Sequence, residues 1–180
     1  MPFDFQPTLV GTLVELRPLR PEGAAELFSV ASDPLVWEQH PDRKRYTPQV
    51  FDRLFRESLA SGGALAVHDR RNGTIIGSSR FLAYDPEVAE VEIGYTFLAR
   101  SYWGGAYNGE MKQLMLRHAF RFVQRVLFLI DFQNLRSQRA TEKLGAVRVG
   151  SRPNAAGRES YVYAIARSAW LGHDLTPASS

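Results

Sequence analysis

The 180 residues carry 44% hydrophobic and 23% charged side chains, the balance of an ordinary folded domain. No cysteine is present, which excludes thiolate nucleophiles, iron–sulfur clusters, Cys-ligated zinc and disulfides, and permits a reducing compartment. The 22 Lys and Arg against 19 Asp and Glu leave a net charge of +3, a mild preference for anionic partners without the run of like charges that marks a nucleic-acid arm.

The longest strongly apolar run, Val126 to Ile130, falls far short of the roughly 20 residues that cross a bilayer. Met1 to Val10 has neither a basic start nor an apolar core, so it does not read as a signal peptide, and a cytoplasmic location is expected. With no linker and no repeat, residues 1–180 read as a single domain, with 176–180 as a disordered tail.

In chain order, Thr12 to Arg17 alternates as a half-buried strand and Pro18 stops it. Pro21 opens a helix whose Ala24, Leu27, Phe28 and Ala31 share a face, and Asp33-Pro34 ends it. His40, Asp42, Arg43, Lys44 and Arg45 form the densest polar run and read as a solvated loop. A second helix starts with Thr47 as cap and Pro48 in its first turn, presents Phe51, Leu54, Phe55 and Leu59, and stops at Gly62-Gly63.

The period then becomes extended. Ala64 to His68, Thr74 to Tyr84 and Ala89 to Leu98, joined by Asn72-Gly73 and Asp85-Pro86 turns, predict an antiparallel meander. From about Ala106 to Gln124, residues 111, 114, 115, 118, 119 and 122 form the apolar stripe of a long helix, with Lys112, Gln113, Arg117, Arg121 and Gln124 toward water. Val126 to Ile130 is a buried strand. A right-handed crossover makes it parallel to the strand ending at Leu98. A short helix from Ser137 to Leu144 closes at Gly145, and Val147 to Ser151 with Arg158 to Ile165 reads as a final hairpin. The fold class is a mixed α/β sandwich around one mostly antiparallel sheet with one parallel β-α-β crossover.

The segment Ala99 to Gly109 joins that crossover strand to the long helix and is rich in small residues. Backbone N–H groups there, with the helix N-terminus behind them, suit a phosphate; the same glycines also suit a plain tight bend. The absence of a Gly-Lys-Ser/Thr ending excludes a Walker A loop. Gly104-x-Ala106-x-x-Gly109 only loosely echoes a dinucleotide fingerprint, because the loop follows a meander rather than parallel strands.

Glu92-Ile93-Gly94-Tyr95, Tyr102-Trp103-Gly104-Gly105-Ala106-Tyr107, Asn134-x-x-Ser137 and Glu142-Lys143-Leu144-Gly145 occur in the order and at the spacing of the GNAT superfamily of acetyl-CoA-dependent N-acetyltransferases. The chain resembles that family over residues 12–166, and within it the ribosomal-protein N-terminal acetyltransferases. The resemblance implies acetyl transfer from acetyl-CoA, as cosubstrate, to a primary amine by direct attack in a ternary complex. It also implies that backbone groups at Phe97 and Leu98 pair with the pantetheine arm, that Trp103, Gly104, Gly105, Ala106, Tyr107 and Asn108 cradle the pyrophosphate, and that Asn134 contacts the arm. The family's pyrophosphate loop runs Arg or Gln, x, x, Gly, x, Gly or Ala, and Trp103, Ala106 and Asn108 stand at those positions here, the last two being less usual for it. Thr141 stands where many members carry an acidic tyrosine.

Acetyl transfer to an amine needs a base and an acid for the leaving thiolate. Glu92 is the candidate base, with a carboxylate tied to an arginine across the sheet as the alternative. Glu90, Glu92, Gly94 and Thr96 share one face of their strand and Val91, Ile93, Tyr95 and Phe97 the other. Ser137 matches the serine proposed as acid in the ribosomal-protein subgroup, and a helix-start serine bonded to backbone is the alternative. Asn134 could equally be that helix's N-cap. Trp37, Glu38 and His40 lie where the family selects substrate: Glu38 could attract an ammonium and Trp37 pack on it, or Trp37 is core and His40 an exposed turn residue. His118 reads as a satisfied core histidine, and His68 has no second histidine at ligand spacing, so no metal is expected. The expected partner is a small-molecule or peptide amine, with no nucleic acid and no membrane; the final hairpin and edge strands are candidates for a homodimer surface by analogy. A non-catalytic acyl-CoA-binding module of the same fold is the rival reading.

Overall fold

The computed structural model describes residues 1–154 and 156–174, so the expected tail at 176–180 lies outside the described residues. Its strands are β1 (Leu9–Val10), β2 (Val14–Pro18), β3 (Ala64–Asp69), β4 (Ile75–Asp85), β5 (Glu90–Leu98), β6 (Arg125–Asp131), β7 (Val147–Pro153) and β8 (Glu159–Ala166). They form one eight-stranded sheet in the order β1-β2-β3-β4-β5-β6-β8-β7. Every neighbouring pair is antiparallel except β5 with β6, the expected crossover pair.

Helices α1 (Ala24–Ala31) and α2 (Pro48–Ala60) bring Leu27, Phe51, Leu54 and Phe55 onto one side of the sheet, together with Trp37, Ala64 and Ala66. Helix α3 (Ala106–Ala119) brings Met111, Met115 and Leu116 onto the other, against Val67, Phe81, Val91 and Ile93. Helix α4 (Leu135–Lys143) follows β6, and α5 (Arg167–Asp174), which the sequence pattern did not reveal, lays Trp170 on Phe120 with ring centroids 5.3 Å apart. Glu110 fixes α3 to the β1–β2 turn: its carboxylate accepts the N–H groups of Thr12, Leu13 and Val14 at 2.8, 2.7 and 2.8 Å.

Four local expectations are corrected. Thr47 does not cap α2 with its side chain; its Oγ1 donates back to the Lys44 carbonyl at 2.8 Å. Helix α3 ends at Ala119, not Gln124, because tight turns through Phe120 and Val123 bury both side chains and deliver the Gln124 N–H to the Ala89 carbonyl. The run at 40–45 is only partly solvated: Asp42, Arg43 and Lys44 are exposed, whereas Arg45 turns inward from a 3₁₀ turn at Arg43–Tyr46. Lys112 does not face water. It is 6% exposed, because the buried arc of α3 takes in Lys112 and Leu116, one turn apart.

Candidate active site

The cleft originates in one irregularity of β5. Residues Glu90–Glu92 pair with Arg125–Leu127 of β6, and there the pairing stops. The β4–β5 register shifts between Ser78 and Arg80, and Tyr95 in that stretch adopts φ +52°. An aromatic residue in the left-handed region costs about 1–2 kcal/mol, so the surroundings must hold it there. The Arg80 guanidinium, 3.9 Å from the ring centroid, is one such hold.

The bulge also breaks the expected alternation. Val91, Ile93 and Leu98 join the core under α3, while Tyr95 and Phe97 join the opposite core beside Trp37. The Thr96 hydroxyl meets Lys112 of α3, so Thr96 shares Ile93's face rather than Glu92's. Beyond the bulge the two parallel strands separate. A cavity of about 270 Å³ opens between Gly94–Leu98 and Phe128–Asp131, and the facing edge of β5 has no strand partner there among the described residues.

The loop that follows β5 is anchored on three sides. The Tyr102 hydroxyl donates to Asp69 Oδ2 at 2.8 Å, and Asp69, fully buried, also takes Arg71 in a two-pronged ion pair. Arg71 and then the Tyr102 hydroxyl hold the Asp69 carboxyl well below the usual range, against the opposing effect of burial. Trp103 Nε1 donates to the Leu98 carbonyl at 2.9 Å, and Arg100 pairs with Asp33. These ties hold Gly104 and Gly105 in front of α3, whose N-cap Gly105 offers no capping side chain. The first N–H groups of the helix are thereby left for a ligand. A Cβ added at Gly104 or Gly105 would meet nothing within 4 Å, so the space in front of the helix is open.

Of the cofactor residues expected from sequence, Phe97, Leu98, Trp103, Gly104, Asn108 and Asn134 line the cavity; Gly105, Ala106 and Tyr107 form the adjoining turn without lining it. Asn134 is the N-cap of α4, accepting the Ser137 N–H at 3.2 Å, and lines the cavity as well. Ser137 also lines it, and its hydroxyl, unlike its N–H, makes no hydrogen bond among the described residues. Trp37 is a core residue, donating Nε1 to the Ala31 carbonyl at 2.8 Å, yet one side of it forms cavity wall, as does His40. Glu38 is exposed and is not among the residues that line the cavity. His118 is the satisfied core histidine expected, with Nε2 2.7 Å from the Asp4 carbonyl.

Glu92 does not itself line the cavity, but its Oε1 lies 3.3 Å from where a Cβ on Gly94 would stand, and Gly94 is a wall residue. Among the described residues no arginine ties it across the sheet. Burial pushes its carboxyl up to about 7, with Arg152 opposing weakly from a distance. His40 accepts the Asp42 N–H on Nδ1 at 2.9 Å; burial first, then Arg45, pushes its ring down to about 4, leaving it neutral. Sequence reasoning missed Arg45, Tyr95, Thr96, Lys112 and Arg136, all of which line the cavity. Arg136 stacks on Trp103 at 3.9 Å and donates to the Val36 carbonyl at 3.1 Å. For Lys112 a signal existed, since Leu116 one turn on is apolar. For Arg45 none did.

Among the described residues no group of three or more His, Cys, Asp or Glu could hold a metal, and no helix is long and apolar enough to cross a membrane. A family model described as an acetyltransferase (GNAT) domain matches residues 14–147. No curated protein matches the chain. Among solved structures, the chain is similar to a protein from T. thermophilus described as a candidate acetyltransferase, with 31% identity, a TM-score of 0.76 and 94% of each chain covered. It shares its fold with a GCN5-related N-acetyltransferase from Brucella melitensis, at 21% identity and TM-score 0.83 over 94% of this chain and 83% of that one. It shares it also with Mycobacterium smegmatis RimJ in complex with CoA-disulfide, at 19% identity and TM-score 0.71 over 98% and 93%.

Proposed function

The chain belongs to the GNAT acetyltransferase family, and from that premise we propose that it transfers the acetyl group of acetyl-CoA to a primary amine by direct attack in a ternary complex. The observation that carries this reading is the separation of β5 from β6 above an uncapped α3 N-terminus. An unpaired strand edge suits a pantetheine arm, and free N–H groups at a helix start suit a pyrophosphate.

Acetyl-CoA supplies a thioester carbon open to an amine. Phe97 and Leu98 would hold the arm through their backbone edge, Asn134 from the other side, and residues 103–108 the phosphates. The amine nitrogen forms the new C–N bond as the C–S bond breaks. Glu92 takes the amine proton, through water, and the Ser137 hydroxyl gives one to the departing sulfur. Two side-chain observations support these assignments: among the described residues the Glu92 carboxylate has no ion-pair or hydrogen-bond partner, and the Ser137 hydroxyl is not consumed by the first turn of α4, in which it stands. A cytoplasmic setting belongs to the same proposal.

Calorimetric titration with acetyl-CoA, with NAD and ATP as controls, tests the reading: saturable binding of acetyl-CoA alone is expected, followed by thiol release with an amine. Binding without turnover on any amine would leave a non-catalytic acyl-CoA-binding module instead. Gly105→Val is expected to weaken acetyl-CoA binding at least tenfold, about 1.4 kcal/mol, without loss of folding, because a Cβ there meets nothing within 4 Å and the branched side chain would crowd the proposed pyrophosphate position. Unchanged affinity in that variant would move the phosphate site elsewhere.

A further inference from the structure

The cleft wall on the side away from α3 holds a positive charge that the protein pairs only loosely. Arg45 is 14% exposed at its side chain, lines the cavity, and lies over the Trp37 and Tyr95 rings at 5.4 and 5.7 Å. None of its guanidinium N–H groups has a hydrogen-bond acceptor among the described residues, and its nearest carboxylate, Asp42, stands 3.9 Å away and half in solvent. Arg80 is buried against the same Tyr95 ring, 3.9 Å from its centroid; it donates to the Ser58 hydroxyl at 2.6 Å and leaves Nε without a partner. Glu57 attracts both arginines only from the exposed surface of α2.

A guanidinium largely withdrawn from water, with no hydrogen-bond acceptor and only a half-exposed carboxylate near it, gains when an anion meets it, beyond what ring stacking alone returns. Its planar fork matches a carboxylate in two parallel hydrogen bonds. His40 beside it is neutral, and Glu38, the acid that could have drawn a cationic substrate, lies outside the cavity. Asp131, the carboxylate that does line the cavity, stands at the far end of β6 and accepts the Gln133 N–H at 2.9 Å. Glu92, on the same face of the sheet as Tyr95, is left to handle a proton.

We propose that the acceptor amine carries a carboxylate, which Arg45 binds against the Trp37 and Tyr95 rings while the amine end reaches the cleft beside Gly94. This rests on the acetyl-transfer reading of the cleft. Arg45 is then a specificity-determining residue, and polyamines and neutral amines are disfavoured acceptors.

The test uses matched pairs: a free amino acid and its carboxamide, an acidic dipeptide amide and its neutral counterpart, and spermidine as a cationic control. Binding is followed by tryptophan fluorescence with CoA present, and turnover by thiol release with acetyl-CoA. The acidic member of at least one pair is expected to bind and to be acetylated at least tenfold better than its partner; whichever pair discriminates tells a free α-carboxylate from an acidic side chain. In Arg45→Met that ratio should fall to near one, and in Arg45→Lys it should be partly restored, with the affinity for acetyl-CoA unchanged in both. Since the charge removed has no hydrogen-bond acceptor among the described residues and only a loose, half-exposed ion pair with Asp42, the melting temperature of Arg45→Met should not fall. Preference for neutral amines or spermidine, or no binding by any acid, overturns the proposal while acetyl transfer stands. Weakened acetyl-CoA binding in Arg45→Met overturns it too, by assigning the anion to the cosubstrate. Binding of the acid with no turnover upholds the anion site and rejects the transferase reading.

Discussion

Glu92→Gln is expected to lower kcat by about 10²- to 10⁴-fold, the usual contribution of a positioned general base. Acetyl-CoA affinity should be unchanged, because Glu92 stands beside the cavity and not in its wall. The side chain keeps its shape, and the carboxylate it replaces has no hydrogen-bond partner among the described residues, so folding stability should be equal or slightly higher. The pH dependence separates a base from a bystander. Burial raises the Glu92 carboxyl to about 7, and the form that accepts a proton is the carboxylate. The fraction in that form grows as pH rises through about 7, so wild-type kcat/KM should climb through that region, and the variant should lose that limb. Wild-type turnover in Glu92→Gln, or an unaltered pH profile, would remove Glu92 from the mechanism.

Lys112→Met should make the protein more stable, by an amount that depends on pH. The ammonium has two hydroxyl partners, Thr96 Oγ1 and Ser79 Oγ, the latter at 3.4 Å, and no carboxylate among the described residues, and burial pushes it down to about 7. The unfolded chain holds that proton up to about pH 10.4. Between about 7 and 10.4 the unfolded state therefore binds one more proton than the folded state, and wild-type stability rises with pH across that window. Below 7 both states are protonated and the full penalty of the buried charge remains, at most about 5 kcal/mol by linkage and less after local relaxation. Methionine fills similar volume without the charge. Thermal unfolding of both proteins from pH 6 to 10 should show the variant ahead by several degrees at neutral pH, with the gap closing as pH rises. A gap that stays constant would mean that Lys112 reaches water in the folded protein.

Both residues show where sequence reading reached its limit. Glu92 was chosen as candidate base by pattern, since the Glu-Ile-Gly-Tyr run and its strand periodicity are local. The face of each residue beyond it was not. One bulge at Tyr95 shifts the register by a residue, and a one-residue shift in a strand exchanges its two faces. That exchange carries Tyr95 and Phe97 to the side of Trp37 and turns the Thr96 hydroxyl toward α3. Lys112 was misplaced for a related reason. The helical stripe was drawn through Leu114 and Phe122, whereas the helix lies on the sheet with Met111, Met115, Leu116 and Ala119 down, which takes Lys112 with them.

The sequence by itself determined what depends on near neighbours along the chain: the antiparallel meander with its Asn72-Gly73 turn, the parallel crossover into β6, the glycine-rich approach to α3 and the family the chain belongs to. Period, turn chemistry and handedness are local properties, and four motifs in register preserve them. The tertiary structure alone decided which charges leave water. Arg45 sits in a run of polar residues that nothing local distinguishes from a solvated loop, and Glu38 in a segment that nothing local removes from the cleft. Whether a guanidinium is buried, and whether a carboxylate meets it there, depends on how Trp37, Tyr95 and Arg80, distant in sequence, close around it. Desolvation and charge pairing are set by that enclosure, and they exist only once the sheet and its helices have assembled.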